Sequence, residues 1–151
     1  MIGIRFKIKN EYDNIFYKIF KGINLDECDW NIVEDEIYSQ TGENYFDKDY
    51  YSNNEFQELI KYGTYYPVFA NIQIYIKQEK LEDIETYQDF VNSECQLVLF
   101  ITDNEFVDIY AKKEEWLNII FQNAINSNFE SIQYIKSNNS YIRHKFSAYS
   151  D

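Results

Sequence analysis

The stretch 95–112, CQLVLFITDNEFVDIYAK, joins a continuous apolar run to a second, alternating run across a short polar turn. In its first arm Cys95, Leu97, Leu99 and Ile101 fall on one side and Val98 and Phe100 on the other. Both faces are apolar, so this strand belongs in the middle of a sheet. Asp103-Asn104 supplies residues that tolerate positive φ well, as a two-residue hairpin turn requires. Val107, Ile109 and Ala111 resume the alternation on the way back. The segment reads as a buried β-hairpin about which the other elements are arranged.

Upstream, Ile2, Ile4, Phe6 and Ile8 alternate with Gly3, Arg5, Lys7 and Lys9, the period of a strand with one buried face. Asn10 is placed to cap a helix of about three turns carrying Tyr12, Ile15, Phe16, Ile19 and Phe20 and ending at Gly22. From residue 23 to 51 the periodicity weakens. Trp30, Ile32 and Val33 read as a strand that Glu34-Asp35-Glu36 interrupts and Ile37-Tyr38 resumes, before a turn at Thr41-Gly42. Ser52-Asn-Asn-Glu55 is a capping-box pattern for a short helix that closes at Gly63. Pro67 then opens a strand with Val68, Ala70, Ile72, Ile74 and Ile76 facing in and Phe69, Asn71, Gln73, Tyr75 and Lys77 facing out. Thr86-Tyr-Gln-Asp89 caps two helical turns ahead of the hairpin.

Downstream, Leu117, Ile120, Phe121, Ala124 and Ile125 form a helical stripe, with Glu114 and Glu115 at the positive end of the dipole. Ile132 and Tyr134 mark a last strand before a Ser137-Asn-Asn-Ser140 break and a basic tail, residues 141–151. The pattern predicts a single α+β domain over residues 1–151: a mainly antiparallel sheet of about six strands with helices packed on one face.

Twenty-six acids against fourteen bases give a net charge of −12, which opposes direct binding to nucleic acid or an anionic membrane and favours a basic partner. The opening MIGIRFKIKN has neither a signal-peptide apolar core nor a spanning segment, so a cytoplasmic protein is expected. Cys28 and Cys95 stand far apart with no CxxC spacing and are read as reduced thiols.

Three segments, GIRFKIKNEYDNIFYKI (3–19), TYYPVFANIQIY (64–75) and TYQDFVNSECQLVLFITD (86–103), together resemble the uncharacterised bacterial domain-of-unknown-function family 2691. The likeness spans nearly the whole chain. Its segments are strand and cap pieces, so the resemblance implies a shared fold and carries over no activity or site residue.

The motifs of common chemistries are missing. The one histidine, His144, sits in the basic tail without a nucleophile or acid motif beside it, which predicts no His-based triad. One His and two lone Cys cannot make the usual zinc ligand sets, the acids form no calcium loop, and the four glycines build no phosphate cradle. No cofactor or metal is expected, and no catalytic residue is assigned.

Charge segregation is the informative feature: residues 23–60 hold eleven acids against one base. Within that stretch Asp26, Glu27, Asp29, Glu34, Asp35, Glu36, Glu43, Asp47 and Asp49 interleave with Trp30, Tyr50 and Tyr51, the composition of a charged rim around aromatic anchors. These twelve residues are the candidate partner surface. The leading reading is a non-catalytic, acidic protein-binding module, an inhibitor or immunity-type protein that neutralises a basic toxin or nuclease. Two alternatives stand beside it: a nucleic-acid mimic or virus-encoded inhibitor of a defence or DNA-processing protein, and a small-ligand binder or enzyme using carboxylate chemistry. The first needs carboxylates in rows, the second a deep apolar cavity with perturbed carboxylates.

Overall fold

Residues 1–77, 81–137 and 146 are described by the computed structural model. Their strands are β1 (Gly3–Lys7), β2 (Cys28–Tyr38), β3 (Tyr50–Ser52), β4 (Tyr66–Ile76), β5 (Cys95–Thr102), β6 (Phe106–Ala111) and β7 (Glu130–Ile135). They form one sheet in the order β3-β2-β4-β5-β6-β1-β7, and every neighbouring pair is antiparallel. With them stand α1 (Ile15–Phe20), α2 (Asn53–Tyr62), α3 (Tyr87–Asn92) and α4 (Glu114–Asn126). The fold is α+β, with seven strands rather than about six. The addition is β3, three residues long and too short to show a period in the sequence.

β5 lies between β4 and β6, as its two apolar faces require. Leu97, Leu99 and Ile101 join the larger core, together with Ile15, Phe16, Ile19 and Phe20 of α1, Phe56 and Ile60 of α2, and Trp116, Leu117 and Ile120 of α4. Val98 and Phe100 point the other way, into a second cluster. Cys95 departs from the expected side and belongs to that second cluster, because a bulge between Ile74 and Tyr75 shifts the register before Tyr75 meets Cys95. The connection to β6 is three residues, Asp103 to Glu105, rather than two: Thr102 pairs with Phe106, and Asp103 and Asn104 both sit at positive φ (52° and 65°).

The helices do not all share one face. α3 sends Phe90 into the second cluster, where Ile84, Phe69, Tyr75, Tyr110 and Phe146 also lie. β4 is accordingly buried on both sides over much of its length: Phe69, Gln73 and Tyr75, expected outside, are 5%, 2% and 0% exposed, while Ile76, expected inside, is 45% exposed. At the start of the chain α1 is shorter than its apolar spacing predicts. Asn10 caps nothing; the helix begins at Ile15 behind Asn14, and Asp13 instead forms an isolated bridge with Tyr65.

The predicted capping box at Ser52 is present, and the predicted cap at Thr86 is a full capping box as well. Ser52 Oγ accepts from the Glu55 amide at 3.4 Å and Thr86 Oγ1 from the Asp89 amide at 3.0 Å, with the acid of each box reaching back to the cap. Gly63 ends α2 in extended backbone, and a Cβ there would stand 1.7 Å from the Tyr45 hydroxyl. The requirement for glycine at this position is therefore packing, not φ.

Candidate functional site

The acidic stretch is organised by β2, which runs unbroken through Glu34-Asp35-Glu36 instead of being interrupted there. Two register shifts against β4, between Ile32 and Glu34 and between Glu36 and Ile37, let the strand pass: Val33 is turned out at 44% exposure, and Ile37 returns fully to the core. Eleven residues of strand cover about 33 Å from end to end. Asp26 and Glu27 precede that strand and Glu43 follows it in the turn at Gly42, so acids contiguous in sequence are dispersed along the molecule.

The twelve sequence-predicted residues thus divide. Asp26, Glu27, Glu34, Glu36, Glu43, Asp47, Asp49 and Tyr50 are exposed, Asp35 is half-buried, and Asp29, Trp30 and Tyr51 are buried. Trp30 is 0% exposed: its ring stacks on Phe56 at 4.0 Å, meets Phe20 edge-on at 5.0 Å, and its indole N–H donates to Asn53 Oδ1 at 3.1 Å. It is a core residue and offers a partner nothing. Of the aromatics in the set, Tyr50 remains at the surface, 51% exposed, its hydroxyl donating to Asp29 Oδ2 at 2.6 Å. That bond is the chief cause lifting the Tyr50 hydroxyl to about 12. Tyr51 works inward. Its hydroxyl donates to Asp47 Oδ1 at 2.8 Å and accepts the amides of Asp47 and Lys48 at 3.0 and 3.1 Å, which pins the loop entering β3. Burial first, then the bond to Asp47, raises that hydroxyl to about 12.

Beside this loop the structure opens a groove of about 620 Å³ lined by Tyr45, Asp47, Lys48, Tyr51, Glu55, Glu58, Leu59, Tyr62 and Gly63. Tyr45 forms a wall because its hydroxyl is tied to the Leu59 carbonyl at 2.6 Å. Tyr62 stands at the rim, 78% exposed. Lys48 lines it as an exposed side chain: its ammonium is 2.6 Å from Glu55 Oε2 and 4.9 Å from the centre of the Tyr51 ring. The hydrogen bond from Lys48 is the main reason the Glu55 carboxyl is held below its ordinary value. A cation here meets both a carboxylate and a π-face, the two features that recognise lysine and arginine.

Of the groove's lining, Asp47 and Tyr51 belong to the twelve sequence-predicted residues, and Tyr45 is a further aromatic interleaved with the same acids in the sequence. Glu55, Glu58, Leu59 and Tyr62 were missed as a group, although their i, i+3, i+4, i+7 spacing puts them on one side of α2. The signal was present, hidden by the core stripe of Phe56 and Ile60 on the same helix.

Other chemistry is sparse. Asp35 is raised by burial and then by the nearby Asp49 carboxylate, but it does not line this groove. Cys28 and Cys95 are free, buried thiols on opposite sides of the sheet, each pushed up mainly by burial. Among the described residues no three His, Cys, Asp or Glu side chains gather as a metal site, and no helix is long and apolar enough to cross a membrane. A row of carboxylates along β2 extends only to Glu34 and Glu36. His144 and the basic tail lie outside the described residues, apart from Phe146.

Comparison with known proteins adds a family and no activity. The model of the family described as "Protein of unknown function (DUF2691)" matches residues 1–147. A Bacillus subtilis (strain 168) relative, described as uncharacterized protein YncE, is 28% identical over 144 residues, covering 91% of this chain and 93% of its own length. No solved structure matches.

Proposed function

The chain belongs to the DUF2691 family, and on that premise we propose that it is a non-catalytic binding protein whose acidic, tyrosine-lined groove at α2 and the 45–51 loop takes a basic side chain from a protein partner. An inhibitor or immunity-type role against a basic toxin or nuclease fits this chemistry. The observation that carries the reading is Lys48. The chain's own ammonium sits between Glu55 and the Tyr51 ring, the environment in which a partner's lysine or arginine would rest. Glu58 and Asp47 leave the groove net negative after Lys48 is counted. Exposed Tyr62 supplies area at low entropic cost, as interface tyrosines do. Glu34, Glu36 and Glu43 stand outside the groove and act through their field, speeding the approach of a positive partner.

The test is to capture the partner on immobilised protein, purify it, and measure both rate constants at two salt concentrations. Glu55→Lys with Glu58→Lys should slow association at least tenfold and flatten its salt dependence. Tyr62→Ala should chiefly speed dissociation. A captured partner that is acidic, or that binds wild type and the double reversal equally at both salt concentrations, overturns the proposal.

A further inference from the structure

Val33 and Leu81 are apolar side chains left at the surface, 44% and 49% exposed. They meet as walls of a cavity of about 320 Å³, on the side of the sheet away from the α2 groove. Val33 stands there because the β2 bulge between Ile32 and Glu34 turns it out of the core. The floor is polar. It is made by Asn71 and Gln73 of β4, set between Phe69 and Tyr75 on the same side of the strand. A buried polar floor under an exposed apolar rim reverses the order that folding alone favours.

One of the two floor residues is satisfied. Tyr75 Oη accepts the Glu82 amide at 2.9 Å, so its own hydrogen is directed to Gln73 Oε1 at 2.7 Å. This chain of bonds fixes Gln73, which is 2% exposed, and pins the 81–84 segment to β4. Asn71 has no such partner. Its Oδ1 is buried and accepts no hydrogen bond among the described residues. A buried carbonyl oxygen left unanswered is costly, so a donor fits against it.

The charged residues that line the cavity, Glu82 and Asp83, are both acidic. Glu82 is held by the Glu94 amide, 2.6 Å from its Oε2. Glu34 pairs with Asn71 across the β2–β4 ladder, which sets both side chains on the same face. An anion is repelled from this surface and a cationic donor is drawn to it.

We propose that this cavity is a binding site for a small primary ammonium compound, its N–H donors on Asn71 Oδ1 and a short apolar chain between Val33, Leu81 and Ile84. The volume lies at the small end of ligand pockets and suits a compact molecule. The site is separate from the α2 groove and does not depend on it.

The test is an NMR titration of the full chain with n-butylammonium chloride at neutral pH and constant chloride. The side-chain NH2 signals of Asn71 and Gln73 should move saturably, with a Kd on the order of millimolar for so small a ligand. That of Gln122, on α4 across the sheet, should not move. n-Butanol, the uncharged match in size, and butyrate, the anionic one, should bind at least about tenfold more weakly. Asn71→Leu removes the acceptor and should abolish the saturable shift of Gln73, while raising the thermal midpoint, as loss of an unanswered polar group does. Asn71→Asp keeps an acceptor and should keep binding. Leu81→Ser alters an exposed wall, leaves the fold intact and should weaken binding about fivefold. If the ammonium moves neither floor signal up to about 100 mM, the cavity holds water only and the proposal is overturned. n-Butanol binding as tightly as the ammonium overturns it too, and so does binding indifferent to both Asn71→Leu and Leu81→Ser.

Discussion

On the side of the sheet that carries α1, α2 and α4, the interior is continuous from Ile4 and Phe6 in β1 to Trp30 in β2, with helical aromatics laid across it. On the other side the same central strands present Val98, Phe100, Tyr110, Phe69 and Tyr75, and the cover comes from a loop at Ile84, two turns of helix at Phe90, and Phe146. Phe146 stacks on Tyr110 at 4.5 Å, meets Phe100 edge-on at 5.5 Å, and donates its amide to the Glu85 carbonyl. One face is closed by three helices, two of them ten and thirteen residues long, the other by short pieces far apart in sequence. The first kind of closure is written in local periodicity. The second depends on tertiary contacts that no window of sequence displays.

The sharpest way to break this comparison is to delete one large aromatic from each side. Trp30→Ala should cost near the top of about 3–5 kcal/mol, since the ring is fully enclosed and its indole N–H holds Asn53. Phe100→Ala should fall near the bottom of that range, because Phe146 and the 84–90 segment can settle into part of the space. Urea denaturation of both variants checks the order. Equal losses would mean that the second side is as tightly held as the first.

A smaller effect tests the loop that links the larger core to the candidate groove. Tyr51→Phe keeps the ring against Phe46 and Phe56 but strips the hydroxyl from Asp47 Oδ1 and from two backbone amides. Leaving those amides unanswered should cost about 1–3 kcal/mol. If the loop is also the wall of a binding groove, partner affinity should fall by more than the stability loss alone predicts. An unchanged melting temperature in Tyr51→Phe would show that the 45–51 loop is held by other contacts.

What the sequence disclosed follows the same division. The 95–112 hairpin, the caps at Ser52 and Thr86, and the α4 stripe were legible because each is decided within one continuous stretch of the chain. β2 was not. An acidic triplet looks like an interruption until two bulges carry it along the sheet and return Ile37 to the core. Nor could the sequence show that Asp29, Trp30 and Tyr51 are buried while Tyr62 is almost fully exposed, because burial there is set by β3 folding back onto β2. The acidic character of the region was legible; the groove, made by α2 meeting the 45–51 loop, was not.

The smallest predicted effect concerns Asp35, the half-buried acid in the middle of β2. Burial first, and the Asp49 carboxylate second, disfavour its charged form, so its folded pKa lies above the ordinary value of 3.8. A carboxyl with a raised folded pKa contributes stability that is fully present below the unfolded value and is lost as pH rises through the folded one. At neutral pH the wild-type chain therefore carries a penalty that Asp35→Asn removes. The variant should melt higher at pH 7, by an amount below about 1 kcal/mol because solvent screens a half-exposed pair. Near pH 3, where Asp35 is protonated in both states, the advantage should vanish. Asp49→Asn should act in the same direction and more weakly, since it relieves only the second cause. Thermal melts of the two variants at pH 3, 5 and 7 decide the matter. A loss of stability in Asp35→Asn at pH 7 would mean that the charged carboxylate makes a favourable contact along the β2 edge, and that the acids of this strand are held there by structure and not left free for a partner.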